Sequence, residues 1–174
     1  MTDYATALAE DTVRLERYLP GPIERVWAYL TESDKRATWL ARGEMDLRPG
    51  GRIELTWQNS KLSTNDDPPP EKYRANETHT MVGEIIECDP PRLLSFTWGG
   101  EPGDSWASFE LTPKGDSVHL VITHRRLANR GMKVGVSGGW HAHLDVLEDV
   151  LNGEPPRAFW RNYSKLNAEY EQRL

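Results

Sequence analysis

Apolar and polar positions change period several times along the chain, and each change marks an element. Thr12 to Leu19 alternates: Val13, Leu15, Arg17 and Leu19 fall on one face, with Thr12, Arg14, Glu16 and Tyr18 on the other. That is the pattern of a half-buried strand. Pro20-Gly21-Pro22 ends it, and Pro22 suits the first turn of a helix whose Ile23, Val26, Trp27 and Leu30 form an i, i+3, i+4, i+7 stripe. Ser33 can cap a second short helix running toward Trp39 and Leu40, and the pair should form a V. Period two then returns. Glu44 to Leu47, Arg52 to Trp57, Thr78 to Cys88, Arg92 to Trp98, Ser105 to Pro113 and Ser117 to Arg126 read as six strands. Most of their connections are short and rich in turn formers, which suits an antiparallel meander. The exception is Gln58 to Glu77, a long polar loop carrying Pro68-Pro69-Pro70.

Arg125 to Lys133 is polar and loop-like, and a Gly-rich passage (Gly131, Gly135, Gly138, Gly139) leads into period 3.6. Val136, Trp140, Leu144, Leu147 and Leu151 share one stripe, so a helix is expected from near Val136 to Gly153, stopped by Pro155-Pro156. In the tail, Phe159, Tyr163, Leu166 and Tyr170 lie on one face of a further helix with Trp160 beside them. A helix this short is marginal alone in water, so the stripe must dock. Its own body is the favoured surface, and a second copy of the chain is the rival, leaving monomer or homodimer open. The fold class is α+β: a curved antiparallel sheet wrapped around a long C-terminal α-helix, with two small helices after the first strand. One domain over 1–174 is expected, with its core at 12–154 and a helical extension at 155–174.

Composition narrows the partners. A net charge of −6 argues against nucleic acid and against an anionic membrane surface. No stretch approaches the roughly 20 apolar residues that span a bilayer. Met1 to Glu10 has neither a basic start nor an apolar run, so no signal peptide is read there and the cytoplasm is the expected compartment. Cys88 is the only cysteine, which excludes an internal disulfide and a thiolate-rich metal site. Seven tryptophans are the unusual entry in the composition, since Trp is suited to lining pockets as well as filling cores.

The ordered elements, with the residues in them, resemble the START-like (SRPBCC) superfamily with its helix-grip fold, and within it the AHSA-type branch, the relatives of the activator of heat-shock-protein ATPase. The resemblance rests on Arg17-x-x-Pro20, Val26-Trp27, Leu30-Thr31, Trp39 and the Gly50-Gly51 pair opening a strand. It continues through Gly83-Glu84, the run from Pro90-Pro91-Arg92 to Phe96-Thr97-Trp98, His124 ending a strand, and Gly139-Trp140 leading Leu144, Leu147 and Leu151. It covers Val13 to Gly153. The long loop at Gln58 to Glu77 and the extended tail depart from the AHSA pattern. The resemblance implies a fold; the superfamily's functions range over lipid carriers, aromatase-cyclases, hormone receptors and chaperone cofactors.

Motifs that would carry chemistry fail on geometry. His141 and His143 stand two apart on a helix and point about 200° apart, so they cannot clasp one ion. His119 and His124 face opposite sides of a strand. A metal would need distant contributors such as His79, His124 and His143, and neither metal nor cofactor is expected. Gly135-Val136-Ser137-Gly138-Gly139 spells G-x-S-x-G, but no buried strand precedes the serine and no His follows Asp145. Glu84, Glu87, Glu110 and Glu148 serve proton transfer only if they face the interior, and Arg17 and Arg92 read as structural. No catalytic residue is assigned.

The aromatic set is the stronger signal. Trp57, Trp98, Trp106 and Trp140 should converge on one interior together with His79, Met81, His124, His143, Leu144 and Leu147. A largely apolar cavity with a few polar contacts fits a small hydrophobic or aromatic ligand held without catalysis, in a carrier or sensor. Alternatives are a cavity enzyme of the polyketide cyclase or hydrolase kind, and a chaperone-associated stress-response protein. The loop at Gln58 to Glu77 is expected to be a mobile lid over the cavity mouth.

Overall fold

The computed structural model describes residues 3–99 and 104–174. Seven strands make one antiparallel sheet: β1 (Thr6–Ala9), β2 (Thr12–Pro20), β3 (Arg52–Gln58), β4 (Thr78–Asp89), β5 (Leu93–Thr97), β6 (Trp106–Lys114) and β7 (Ser117–Arg125). Their spatial order is β1-β2-β7-β6-β5-β4-β3, so the second strand pairs with the last and the rest return as a meander. The curved sheet wraps around one long helix, as the sequence leads one to expect. Helix α1 (Ile23–Thr31) and the short α2 (Ser33–Arg36) connect β2 to β3 and bury Val26 and Leu30. Helix α3 (Arg130–Leu151) lies on β2, and α4 (Phe159–Arg173) packs along α3. None of these helices is long and apolar enough to cross a membrane, among the described residues.

Three elements differ from expectation. Glu44 to Leu47 is not a strand; the chain from Arg42 pairs with β3 through two isolated bridges, Arg42 to Thr56 and Met45 to Ile53. Just before it lies Gly43, at φ +134°, where a Cβ would lie 1.9 Å from the Glu54 carbonyl oxygen. Only glycine fits so close a crossing. The seventh strand is instead β1, whose four residues are all exposed and carry no burial pattern to read. Helix α3 begins two turns early, at Arg130, because the Asn129 side chain accepts from the Met132 amide and caps it.

The V of α1 and α2 closes on a buried cation. Arg36 is fully buried and donates to the carbonyls of Leu30, Ala41 and Gly43. Those acceptors hold it in place, while desolvation pulls its guanidinium down to about 10. Trp39, also fully buried, donates its indole N–H to the Tyr29 carbonyl.

The tail stripe docks on the body of the same chain. Phe159, Trp160, Tyr163, Leu166 and Tyr170 are all buried, and burial of each large apolar side chain contributes about 1.5–3 kcal/mol. Close approach of α4 is possible because Gly138 of α3 lies beneath it: a Cβ there would stand 3.3 Å from the Tyr163 ring.

Candidate functional site

A cavity of about 460 Å³ opens between β3, the start of β4, the end of β5, and helices α3 and α4. Its walls follow from strand parity and helix period. Trp57 points inward from β3, and His79, directly opposite on β4, stacks on it with ring centres 4.9 Å apart. Trp98 follows β5 on the inward parity set by Leu94 and Phe96, and meets Trp57 at 5.6 Å. From α3, Trp140 completes the floor, 5.3 Å from Trp98 and edge-on to Phe109. Gly135 and Gly139 lie one turn apart on α3 and line the cavity without side chains; a Cβ at Gly139 would meet nothing within 4 Å. Helix α4 contributes Phe159, Trp160 and Tyr163.

The polar loop between β3 and β4 forms the remaining wall. It carries two 3-10 turns, Asn59–Lys61 and Glu71–Asn76, and places Asn59, Tyr73 and Asn76 at the cavity. It is fastened to α4. Tyr73 stacks on Trp160 at 5.1 Å, its hydroxyl lies 3.1 Å from that of Tyr163, and Glu77 accepts the Trp160 indole N–H at 3.0 Å.

Of the ten side chains expected at the cavity, Trp57, His79, Trp98, Trp140 and His143 line it. Trp106 does not. The β5–β6 register sets Trp106 opposite Thr97, so Ala107 and Phe109 point inward while Trp106 lies on the outer face under the Arg125 guanidinium. Met81 is two residues beyond His79 and packs against the core. Leu144 and Leu147 are fully buried further along α3 and do not reach the wall. His124 stands behind the wall, fully buried. Its Nδ1 accepts the Trp140 indole N–H at 3.0 Å, so Nε2 carries the proton toward Ser105 Oγ, and the imidazole fixes the floor's orientation. The residues missed by sequence, Tyr73, Asn76 and the α4 aromatics, sit on segments whose long-range docking no local period records.

Electrostatically the cavity is nearly neutral. His143 Nδ1 lies 2.8 Å from the Trp39 carbonyl, and burial pulls this imidazole down to about 4, so it stays uncharged. His79 Nδ1 lies 2.9 Å from the Asn76 carbonyl. Burial pushes the Tyr163 phenol up, beyond the ordinary tyrosine range.

The other candidates lie elsewhere. His141 faces away from His143, meeting the Tyr170 hydroxyl at 2.9 Å and Asp145 at 3.7 Å. Glu148 lies beside the buried Arg17 at 3.9 Å, its carboxyl raised by desolvation, outside the cavity. Glu84, Glu87 and Glu110 point to solvent, and His119 pairs with Glu16 at 2.7 Å. Ser137 is buried within α3 rather than at a strand-to-helix turn.

Comparisons with known proteins now bear on the chain. It is similar to the solution structure of the protein encoded by gene BPP1335 of Bordetella parapertussis, with 42% identity, a TM-score of 0.81, and coverage of 99% of this chain and 91% of that one. CalU16 from Micromonospora echinospora shares the fold at 23% identity and TM-score 0.67, over 92% of this chain and 86% of that one. DynU16, from the dynemicin biosynthetic locus, does so at 19% and 0.63, over 88% of this chain and 52% of that one. No curated protein matches. The family model described as activator of Hsp90 ATPase homolog 1-like protein matches residues 20–152. The chain belongs to the activator of Hsp90 ATPase homolog 1-like family.

Proposed function

We propose that this protein binds a small hydrophobic or aromatic molecule in the cavity between its sheet, α3 and α4, without chemistry, as a cytoplasmic carrier or sensor. The observation that carries the reading is an aromatic-walled space of about 460 Å³ that the sequence keeps open with Gly135 and Gly139. Cavities of this size, apolar with a few placed polar groups, suit small-molecule ligands. A helical glycine costs about 1 kcal/mol relative to alanine, so Gly139, whose Cβ would meet nothing, weakens α3 without improving its packing. An emptied volume is the return.

The cyclase or hydrolase alternative needs an acid and a base poised near working pH. In the cavity, His143 at about 4 is a weak base, and Tyr163 is raised away from neutrality. That favours binding over catalysis.

Four of the seven tryptophans line the cavity, so their fluorescence should report occupancy. Titration with naphthalene should quench it saturably, and Gly139→Leu, which projects a side chain into the space, should remove the effect while leaving the fold intact. Absence of saturable quenching, together with a native mass spectrum free of any co-purified molecule, would refute the reading.

A further inference from the structure

The cavity described above contains more than apolar surface. Its ionisable lining groups, among the described residues, are His79, His143, Tyr73 and Tyr163, with no lysine or arginine. A carbonyl oxygen only accepts, so the 2.8 Å contact from the Trp39 carbonyl fixes the proton of His143 on Nδ1. Nε2 is then a bare lone pair. It has no hydrogen-bond partner among the described residues, and the ring that carries it lines the cavity. The ring itself cannot turn away. It is packed 4.4 Å from Phe159 and only 5% exposed. Burial holding it at about 4 keeps Nε2 unprotonated across the neutral range.

A second imidazole stands at the rim. His79 Nδ1 donates to the Asn76 carbonyl, and its ring stacks on Trp57. The Tyr73 and Tyr163 hydroxyls are joined to each other, so one of them keeps a free proton. At the wall, Asn59 is buried at 6% exposure with its Oδ1 unpartnered. The flat faces of Trp57, Trp98 and Trp140 bound the space between these groups.

We propose that the cavity selects an uncharged aromatic molecule bearing an O–H or N–H donor, which the Nε2 lone pair of His143 accepts, and that it rejects carboxylates. This rests on the binding reading above and names the ligand class. A carboxylate would be taken from water into an apolar space with no cation to meet it, which costs several kcal/mol. It would also set its own lone pairs against that of Nε2. A pure hydrocarbon fits the walls but leaves Nε2 unsatisfied. A phenol meets both requirements.

Three probes with one ring system separate the cases: naphthalene, 2-naphthol and 2-naphthoate, titrated at neutral pH against the full chain by tryptophan fluorescence and calorimetry. 2-Naphthol should bind about tenfold tighter than naphthalene, the worth of one net hydrogen bond. 2-Naphthoate should bind at least about a hundredfold more weakly than 2-naphthol. On binding 2-naphthol, the nitrogen NMR signal of His143 Nε2 should shift, while naphthalene leaves it in place. His143→Phe should abolish the preference for 2-naphthol and retain naphthalene; the probe series and the NMR signal on the unaltered chain decide the matter even if that variant does not fold. Equal affinity for naphthalene and 2-naphthol, or tightest binding of the naphthoate, overturns the assignment of ligand class and leaves the binding reading standing. Failure of all three probes to bind overturns the ligand class, and the binding reading with it when the native mass spectrum shows no co-purified molecule.

Discussion

Asp67 caps helix α4 from far back along the chain: its carboxylate oxygens accept the Trp160 amide, 93 residues away, at 2.7 Å and the Arg161 amide at 3.2 Å. Helix α4 has no side-chain cap of its own, since Ala158 stands at its N-cap. The exposed amide dipoles at that end favour a negative charge, and the buried Asp67 supplies it from the polar loop. The wall of the cavity and the helix behind it therefore stabilise each other. Asp67→Ala should cost about 1–2 kcal/mol in thermal or urea unfolding and weaken naphthalene binding, with Asp67→Asn recovering part of both. Unchanged melting and binding in the alanine variant would show that the cap carries no weight.

Acid should destabilise the protein in a defined window. Burial holds His124 and His143 each at about 4, below the ordinary value of 6.5. The unfolded chain binds those protons more readily than the folded one, so stability is complete above about 6.5 and falls as pH drops toward 4. The loss approaches roughly 3 kcal/mol per histidine at the lower limit. Burial lowers His141 as well, which adds in the same direction. Chemical denaturation at a series of pH values checks this, and a flat profile between 6.5 and 4 would contradict it.

Gly139 offers a separation of stability from function. Its missing Cβ faces open cavity, so Gly139→Ala should raise stability by about 1 kcal/mol through helix propensity alone. Gly138→Ala should do the opposite, because its Cβ would press on Tyr163 at 3.3 Å and lift α4. Differential scanning of the two variants should move the melting temperatures in opposite directions; shifts of the same sign would sink the distinction.

The tail has its own anchor. The Tyr170 hydroxyl accepts the Ala5 amide at 2.6 Å and meets His141 Nδ1 at 2.9 Å, joining α4 to both the N-terminal segment and α3. Tyr170→Phe strands a buried donor on one side and a buried ring nitrogen on the other, so a loss of about 1–3 kcal/mol is expected. Hydrogen exchange should quicken at Ala5 first. If protection there is unaltered, the hydroxyl does not tie the segment down.

The parts of this architecture that were legible in the sequence are those with a local cause. Alternation in β2, and the stripe from Trp140 to Leu151, reflect burial on one face and read directly. Gly135 did not, because a glycine there lowers local helix propensity and looks like loop; that Gly139 faces open space shows only once the opposite wall is in place. Asp67 and Tyr73 were equally hidden, since their partners on α4 lie far along the chain. Trp106 shows the limit from the other side: its type suggested the interior, but the pairing of Trp106 with Thr97 assigns it to the outer face. Site residues set by register or by docking between distant segments leave no period to follow.

The two margins of the sheet have a bearing on how this protein behaves at high concentration. A long bare strand invites a neighbouring chain to add to it, the first step of ordered aggregation. On one side the margin strand is β3, and the segment from Arg42 to Met45 lies along it, engaging Thr56 and Ile53. The other margin is β1, only four residues long and bulged between Ala7 and Ala9. Neither margin presents a continuous template. What failed as a strand over Glu44 to Leu47 thus acts as a guard rail, deterring self-association through the sheet without contributing a rung of its own.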